Sequence, residues 1–148
     1  MSVMEAEEVV DAPPDRVWQV VADPKNLPSW DRHIVRVSGA PSDGLAKGST
    51  YSVHVSFMGA RAKADATVLE IDPPRHSVVR LNGVVDATVE SWIEPVDKDR
   101  TRLRHRIEYR FPGGPLGSVA TQGVRMLGGE RLLRRGVQAQ KRQAESAG

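Results

Sequence analysis

Cysteine is absent from this chain, and its absence excludes several kinds of chemistry. Among 148 residues there is no thiol to form a disulfide, bind a metal or act as a nucleophile. Aromatic residues are also few, with three Trp, two Tyr and two Phe. Because single-stranded nucleic acid is held largely by stacking on aromatic rings, we expect no nucleic-acid partner.

Long apolar runs are missing as well. No segment reaches the roughly 18 apolar residues that mark a membrane-spanning helix. The first residues also lack the charged and then apolar pattern of a signal peptide. The sequence therefore predicts a cytoplasmic protein without a transmembrane segment.

Neither sign of charge is in large excess. The chain has 21 Lys and Arg residues against 19 Asp and Glu residues, which gives a formal net charge of +2. A basic cluster near the C-terminus is predicted to lie on the solvent side of a helix, where it could at most favour a weak contact with anionic membrane lipids. The cluster comprises Arg131, Arg134, Arg135, Lys141 and Arg142.

The composition that remains is that of one globular domain covering residues 1–148. Hydrophobic content of 39% and charged content of 27% are ordinary for such a domain. A chain of this length buries roughly 70% of its surface on folding. Residues 139–148 are predicted to form a frayed tail.

The segment after the first strand carries the clearest local signals. A strand ends at Val10, and a helix begins at Pro13-Pro14, since proline suits the first helical turn. Apolar residues from Val17 to Val21 then recur at helical spacing. Asp23-Pro24 ends the helix because the residue before a proline avoids the helical conformation.

Alternating strands fill the middle of the chain. The last of them is the clearest, because Leu103, His105, Ile107, Tyr109 and Phe111 face one way while four arginines and Glu108 face the other. Such a strand has one dry face and one face in water. After the first strand, one strand is predicted to begin at His33, and five more cover residues 49–57, 61–71, 76–82, 86–94 and 102–111.

A C-terminal helix is predicted from Leu116 to Gln138, with one broad apolar face. It contains five glycines, each of which costs about 1 kcal/mol relative to alanine inside a helix. The helix therefore either packs very closely on the sheet, bends at Gly128-Gly129 as a gate, or breaks there into two helices. The glycines are Gly117, Gly123, Gly128, Gly129 and Gly136.

Four motifs of this chain resemble the START-like superfamily with the helix-grip (SRPBCC) fold, and most closely its bacterial polyketide cyclase/dehydrase and lipid-transport branch. They are the strand-to-helix stretch Val10–Trp18, then Asp23-Pro24, Pro28-Ser29-Trp30, and the turn Glu70–Arg75. The resemblance covers nearly the whole chain in element order.

This resemblance implies an α+β fold and a ligand cavity. The fold would be a curved antiparallel sheet of about seven strands wrapped around a long C-terminal helix, with two short helices between the first two strands. The cavity would hold a hydrophobic or aromatic small molecule, lipid or polyketide-like. A carrier is the leading interpretation, a polyketide cyclase or dehydratase is the alternative, and a protein–protein adaptor is the third.

Small residues on one strand favour a real cavity. Ala62, Ala64 and Ala66 stand where a strand usually carries larger side chains, so they either leave volume or let another element approach. Aromatic and apolar residues of the inner faces are further candidates, although ordinary core packing accounts for them equally well. The predicted ligand-binding residues are Trp30, Tyr51, Phe57, Ala64, Ala66, His105, Tyr109 and Met126.

His105, Tyr109 and Glu130 are the candidate catalytic acids and bases. His105 is either a hydrogen-bonded core residue or a pocket group beside Tyr109. Glu130 has Arg134 four residues further on, so it either forms a surface ion pair or, in an unbroken helix, enters the cavity as an acid with a raised pKa.

Other chemistries lack their motifs. The four histidines, His33, His54, His76 and His105, are too far apart in sequence to suggest a metal site. There is no G-x-S-x-G elbow, and Gly123–Gly128 is not followed by the Lys and Ser or Thr of a phosphate loop. We therefore predict no metal and no cofactor, in a monomer or a homodimer.

Overall fold

The computed structural model describes residues 2–57, 59–126 and 128–146, apart from the side chains of Phe57 and Arg125. Seven strands form one antiparallel sheet in the order β1-β7-β6-β5-β4-β3-β2, which confirms the predicted α+β architecture. The strands are β1 (Ser2–Val10), β2 (Ile34–Ser38), β3 (Thr50–Phe57), β4 (Ala60–Asp72), β5 (His76–Gly83), β6 (Asp86–Pro95) and β7 (Thr101–Arg110).

The helices between β1 and β2 form where the prolines predicted. Helix α1 (Pro14–Val21) begins after the extended residue Pro13 and has Asp15 in its first turn. A 3₁₀ turn, Pro24–Asn26, follows, and α2 (Leu27–Trp30) is a single further turn. These short helices pack beside the C-terminal helix on the concave side of the sheet.

The predicted C-terminal helix is broken into two helices, which is one of the three outcomes that its glycines allowed. Helix α3 (Gly114–Met126) and helix α4 (Gly129–Ser146) are separated at Gly128, which has a φ of 95°. Only glycine adopts that left-handed conformation at little cost. Leu127 lies outside the described residues. None of the helices that the structure describes is long and apolar enough to cross a membrane.

Residues 139–146 were predicted to belong to a frayed tail, but they continue α4 to Ser146. Residues 147–148 of the predicted tail lie outside the described residues. Gln140 and Ala144 are buried in this helix, and Lys141 and Glu145 tie it to the end of β1. The Lys141 ammonium donates to the Val9 carbonyl at 2.9 Å and to Glu145 at 2.6 Å, while Glu145 accepts from the Asp11 amide at 2.8 Å. Of the basic cluster, Arg131, Arg134, Arg135 and Arg142 are exposed on α4, as predicted, whereas Lys141 is half-buried against the end of β1.

Two apolar clusters cover different halves of the concave face. The first joins α1 and α4 to β1, β6 and β7 and contains Val10, Ala12, Val17, Val20, Ile93, Leu103, Val137 and Ala144. The second lies over β3 and β4 and contains Tyr51, Val53, Ala66 and Val68, with Leu27, Ile34 and Leu45 among the side chains packed against it. Helix α3 contributes no described residue to either cluster.

The convex face of β7, which the alternating arginines predicted to face water, carries a network of ion pairs. Arg104 and Arg106 both contact Glu5 at 3.3 Å, and the Arg104 guanidinium lies 4.6 Å from the ring centre of Trp92. Arg110 pairs with Asp86 at 3.3 Å. Because acidic partners flank the arginines, this face offers no uniform positive surface to a nucleic acid.

Candidate functional site on the concave face

Helix α3 is anchored at its base and projects its apolar side chains into solvent. The Phe111 amide donates to the Thr121 hydroxyl at 2.9 Å, and Gly117 is buried so close to the Phe111 carbonyl that a Cβ would lie 2.1 Å from that oxygen. Three apolar side chains of α3 are otherwise exposed, to 81% for Leu116, 69% for Val119 and 82% for Met126. The helix therefore leaves the sheet beside it uncovered.

The middle of the concave face is only half-buried as a result. Pairing in register places Val79, Val89 and Ile107 side by side on β5, β6 and β7. A row of branched apolar side chains at the centre of a sheet would normally be the driest part of a domain. The half-buried side chains, here called the concave groove, are Val55, Val79, Leu81, Val89 and Ile107.

Small residues form the floor next to this groove. Ala64, Ala66 and Ala87 are buried on the concave side of β4 and β6. Ala64 faces Gly83, where the backbones are so close that a Cβ on the glycine would meet the Lys63 carbonyl at 2.7 Å. Because these alanine side chains are short, they leave space between the longer side chains next to them.

Both tyrosines reach the groove with free hydroxyls. Tyr51 and Tyr109 are 8% and 4% exposed, yet neither hydroxyl makes a hydrogen bond within the part of the chain that the structure describes. In that same part, no fully buried side-chain oxygen or nitrogen lacks a partner, so each hydroxyl must border a space that water can enter. Burial raises the pKa of Tyr51 to about 12, so this phenol stays protonated and can donate.

His105 connects the sheet to α4. Its Nε2 lies 2.8 Å from the Gln140 Oε1 and its Nδ1 lies 2.7 Å from the Ser91 hydroxyl. Since an amide oxygen only accepts, Nε2 carries the proton, and in the neutral ring Nδ1 accepts from Ser91. Burial lowers the pKa of His105, and the Gln140 hydrogen bond opposes part of this shift. The ring is therefore neutral and has both nitrogens occupied.

The three predicted catalytic residues do not converge. Tyr109 lies four positions after His105 in β7, about 13 Å further along the strand. Glu130 lies exposed in the first turn of α4, because the helix breaks at Gly128 and turns it away from the sheet. Within the described part of α4, the i,i+4 ion pair that forms is Lys141–Glu145 rather than the predicted Glu130–Arg134.

The remaining predicted ligand residues lie in three different settings. Tyr51, Ala64 and Ala66 lie on the concave face, as their alternation indicates. The Trp30 indole donates to the Gln143 Oε1 at 3.0 Å and thereby fixes α2 against α4. Met126 is exposed at the end of α3. The side chain of Phe57 lies outside the described residues.

Sequence reasoning did not identify Val79, Leu81 and Val89 as candidates for the groove. Their strands were predicted, and the inner position of each residue follows from period-two alternation. The sequence could not show the strand register that places these residues beside Ile107. It also could not show that α3 leaves this part of the sheet uncovered.

Two surface openings lie elsewhere. One of about 510 Å³ lies between the β1 edge and the start of α4 and is lined by Glu5, Ala6, Glu7, Arg104, Glu130 and Arg134. Another of about 320 Å³ lies where the end of α1, the β2–β3 loop and the β4–β5 turn meet. The first is wide open and lined mainly by ionised side chains, so it suits an apolar ligand less than the concave groove does.

The sheet and its C-terminal helices define a START-like helix-grip protein. A family model described as "Polyketide cyclase / dehydrase and lipid transport" matches residues 1–145. The chain therefore belongs to that family. No curated protein matches it in sequence.

Solved structures share the fold. A protein from Thermus thermophilus is 15% identical, with 99% of both chains covered and a TM-score of 0.79. The Zhui aromatase/cyclase from a Streptomyces species is 22% identical over 97% of this chain and 93% of its own, with a TM-score of 0.75. Norcoclaurine synthase from Thalictrum flavum is 16% identical over 99% and 88%, with a TM-score of 0.68. At these identities the likeness concerns the fold alone.

Proposed function

We propose that this protein binds a hydrophobic or aromatic small molecule in the concave groove and acts as a carrier. The observation behind the proposal is the half-buried apolar centre of the sheet, Val79, Leu81, Val89 and Ile107, beside a helix whose own apolar side chains are exposed. A ligand between them would remove both apolar surfaces from water, which is the usual driving force for such binding.

The chemistry of the groove favours a carrier over an enzyme. The one buried histidine of the described strands has protein partners on both ring nitrogens, and Glu130 lies outside the groove. Acid or base catalysis would need a group within hydrogen-bond reach of the reacting atom. Among the predicted catalytic residues, only Tyr109 borders the groove with a hydroxyl that has no protein partner in the described part of the chain.

Native mass spectrometry of the protein from its own host, followed by extraction and identification of any bound molecule, tests the carrier. Wild type should retain an apolar or aromatic compound. Leu81→Gln should lose it, because Leu81 lines the groove. Leu69→Gln is the matched control, because Leu69 is exposed on the neighbouring strand. An empty wild-type protein that also binds no apolar probe would contradict the proposal.

A polyketide cyclase or dehydratase acting in the same groove is the second candidate. The family description includes cyclases, and the unbonded Tyr109 hydroxyl could donate a proton to a ketone. Turnover of a poly-ketone chain by wild type, reduced in Tyr109→Phe with substrate binding intact, would favour the enzyme. Turnover unaffected by Tyr109→Phe, His105→Ala and Glu130→Gln would remove these residues from any catalytic role.

A further inference from the structure

The smaller surface opening, of about 320 Å³, lies outside the concave groove and is here called the loop pocket. Its walls are the end of α1 with the 3₁₀ turn that follows, the β2–β3 loop and the β4–β5 turn. Its lining includes none of the five groove side chains and no described residue of α3 or α4. A molecule bound there would be separate from the ligand of the proposed function and independent of it.

Each wall of the loop pocket is held by a hydrogen bond of its own. The Asn26 side-chain amide donates to the Val20 carbonyl at 3.1 Å, which fixes the chain after α1. The Gly48 amide at the end of the β2–β3 loop donates to a carbonyl of β4 at 2.8 Å. In the β4–β5 turn, the Arg75 amide donates to the Asp72 carbonyl at 2.8 Å. Because the walls are already in place, a ligand would lose little free energy to ordering them.

The more buried part of the loop pocket is apolar. Pro24 is buried, and Trp18, Leu45 and Ile71 are half-buried. Trp18 packs against the first apolar cluster, whereas Leu45 and Ile71 pack against the second. A small apolar or aromatic group that entered the pocket would leave water and contact these side chains. The volume is at the lower end of the range for ligand sites, so the occupant must be a small molecule.

The lining also contains one carboxylate and one ammonium group that are open to a ligand. Asp23 is half-buried, and its Oδ1 accepts from the Lys25 amide at 3.0 Å. Within the described part of the chain, the Asp23 Oδ2 has no hydrogen-bond partner and the exposed Lys25 ammonium has no ion pair. On β7, by contrast, Arg106 and Glu108 are also two positions apart and do form an ion pair. The loop pocket therefore offers one charge of each sign beside an apolar surface.

From these observations we infer that the loop pocket binds a free α-amino acid with an apolar or aromatic side chain. The ligand's ammonium group donates to the Asp23 carboxylate, and the Lys25 ammonium donates to the ligand's carboxylate. The ligand's side chain packs against Trp18 and Leu45. A molecule with a single charge would be attracted by one of the two protein charges and repelled by the other, and an uncharged molecule would use neither.

Three probes with the same phenyl group test the inference on the full chain by isothermal titration calorimetry. They are L-phenylalanine, phenethylamine, which lacks the carboxylate, and 3-phenylpropanoate, which lacks the ammonium group. L-Phenylalanine should bind about tenfold more tightly than either of the others, the value of one charge-assisted hydrogen bond. In two-dimensional NMR spectra it should shift the indole N–H signal of Trp18 and leave that of Trp92 unchanged.

Two variants remove the charges one at a time. Asp23→Asn keeps an oxygen that can accept from the Lys25 amide, so the 3₁₀ turn is preserved. It should weaken L-phenylalanine binding about tenfold and 3-phenylpropanoate binding not at all. Lys25→Gln should weaken L-phenylalanine binding about threefold, because this side chain is exposed, and phenethylamine binding not at all. Asp31→Asn is the matched control and should change nothing, since Asp31 accepts from the His33 amide in the same way outside the pocket.

Leu81→Gln separates this site from the concave groove, because it alters the groove alone and should leave L-phenylalanine binding unchanged. Loss of L-phenylalanine binding in Leu81→Gln would place the amino acid in the groove and overturn the inference. Equal binding of the three probes, or unchanged L-phenylalanine affinity in Asp23→Asn, would overturn it as well. Absence of L-phenylalanine binding to wild type at millimolar concentrations would also overturn it, with no bearing on the proposed function.

Discussion

His105 occupies a position from which a single side chain can fix a helix to a sheet. The alternation of β7 predicts that it points inward, and this is confirmed. Its two partners, Ser91 and Gln140, lie 14 and 35 residues away in sequence, so alternation could not identify them. A histidine with both nitrogens bonded to protein is held in one orientation and is poorly available to a substrate.

The lowered pKa of His105 predicts a dependence of stability on pH. A group whose folded pKa lies below its unfolded value contributes stability above the unfolded pKa, about 6.5, and this contribution is lost as pH falls through the folded pKa. At about pH 7.5, His105→Leu should be less stable than wild type by about 2 kcal/mol, because Gln140 loses its donor. The difference should shrink towards about pH 5.

Denaturant unfolding of both proteins across that pH range measures the effect. His54→Leu on the convex face controls for the loss of a histidine, and its difference from wild type should not follow the same course. A gap between wild type and His105→Leu that stays constant with pH would contradict the assigned neutral state of His105.

At the scale of the elements, the break between α3 and α4 depends on the backbone of one glycine. Gly128 has a positive φ, and a Cβ there would meet only the Arg131 Cβ at an ordinary 3.7 Å. Conformation rather than space is therefore what restricts this position. Gly129 differs, since its Cβ would lie 2.7 Å from a Val124 methyl group.

Gly128→Ala should destabilise the protein by about 1 kcal/mol, because an alanine is strained at a left-handed φ. Gly123→Ala is the matched substitution inside α3, where no atom lies within 4 Å of the new Cβ. It should increase helix stability by about 0.5–1 kcal/mol. Thermal unfolding followed by circular dichroism compares the two variants. Equal stability of Gly128→Ala and wild type would mean that the break does not need this glycine.

The sequence predicted the elements better than their ends and contacts. Proline positions and period-two alternation located α1 and the strands, because these signals are local. The break at Gly128 was one of several outcomes that five glycines allowed. The β4 bulge was not predicted, because Ala62 to Val68 alternates without interruption and only pairing with β5 reveals the extra residue. The direction of Glu130 was left open between solvent and cavity, because it depends on whether the helix breaks.

At the scale of the whole molecule, the last turns of α4 complete the core. Gln140 and Ala144 are buried, and the hydrogen bond from Lys141 lowers the pKa of Glu145 while that carboxylate also accepts from Asp11. The sequence predicted a frayed tail there, since small and polar residues dominate after Gln138. The two residues that are buried in this stretch, Gln140 and Ala144, lie four positions apart on one face of the helix.

A chain ending at Gln138 should therefore lose about 3 kcal/mol or more of unfolding free energy, through lost packing and an unpaired His105 N–H. A chain ending at Ser146 is the control and should match wild type. Urea unfolding at neutral pH measures both. A shortened chain that kept full stability would show that α4 is held by its first three turns alone.

The same contacts have a second consequence, which concerns aggregation. β1 is an edge strand, and an uncovered edge can template the pairing of another chain. Helix α4 packs along β1, and Lys141 occupies the carbonyl of Val9. An exposed, outward glutamate, Glu7, adds like charge against a second copy. Loss of the last turns of α4 would thus remove more than stability: it would expose a strand edge, and with it a route to insoluble assemblies.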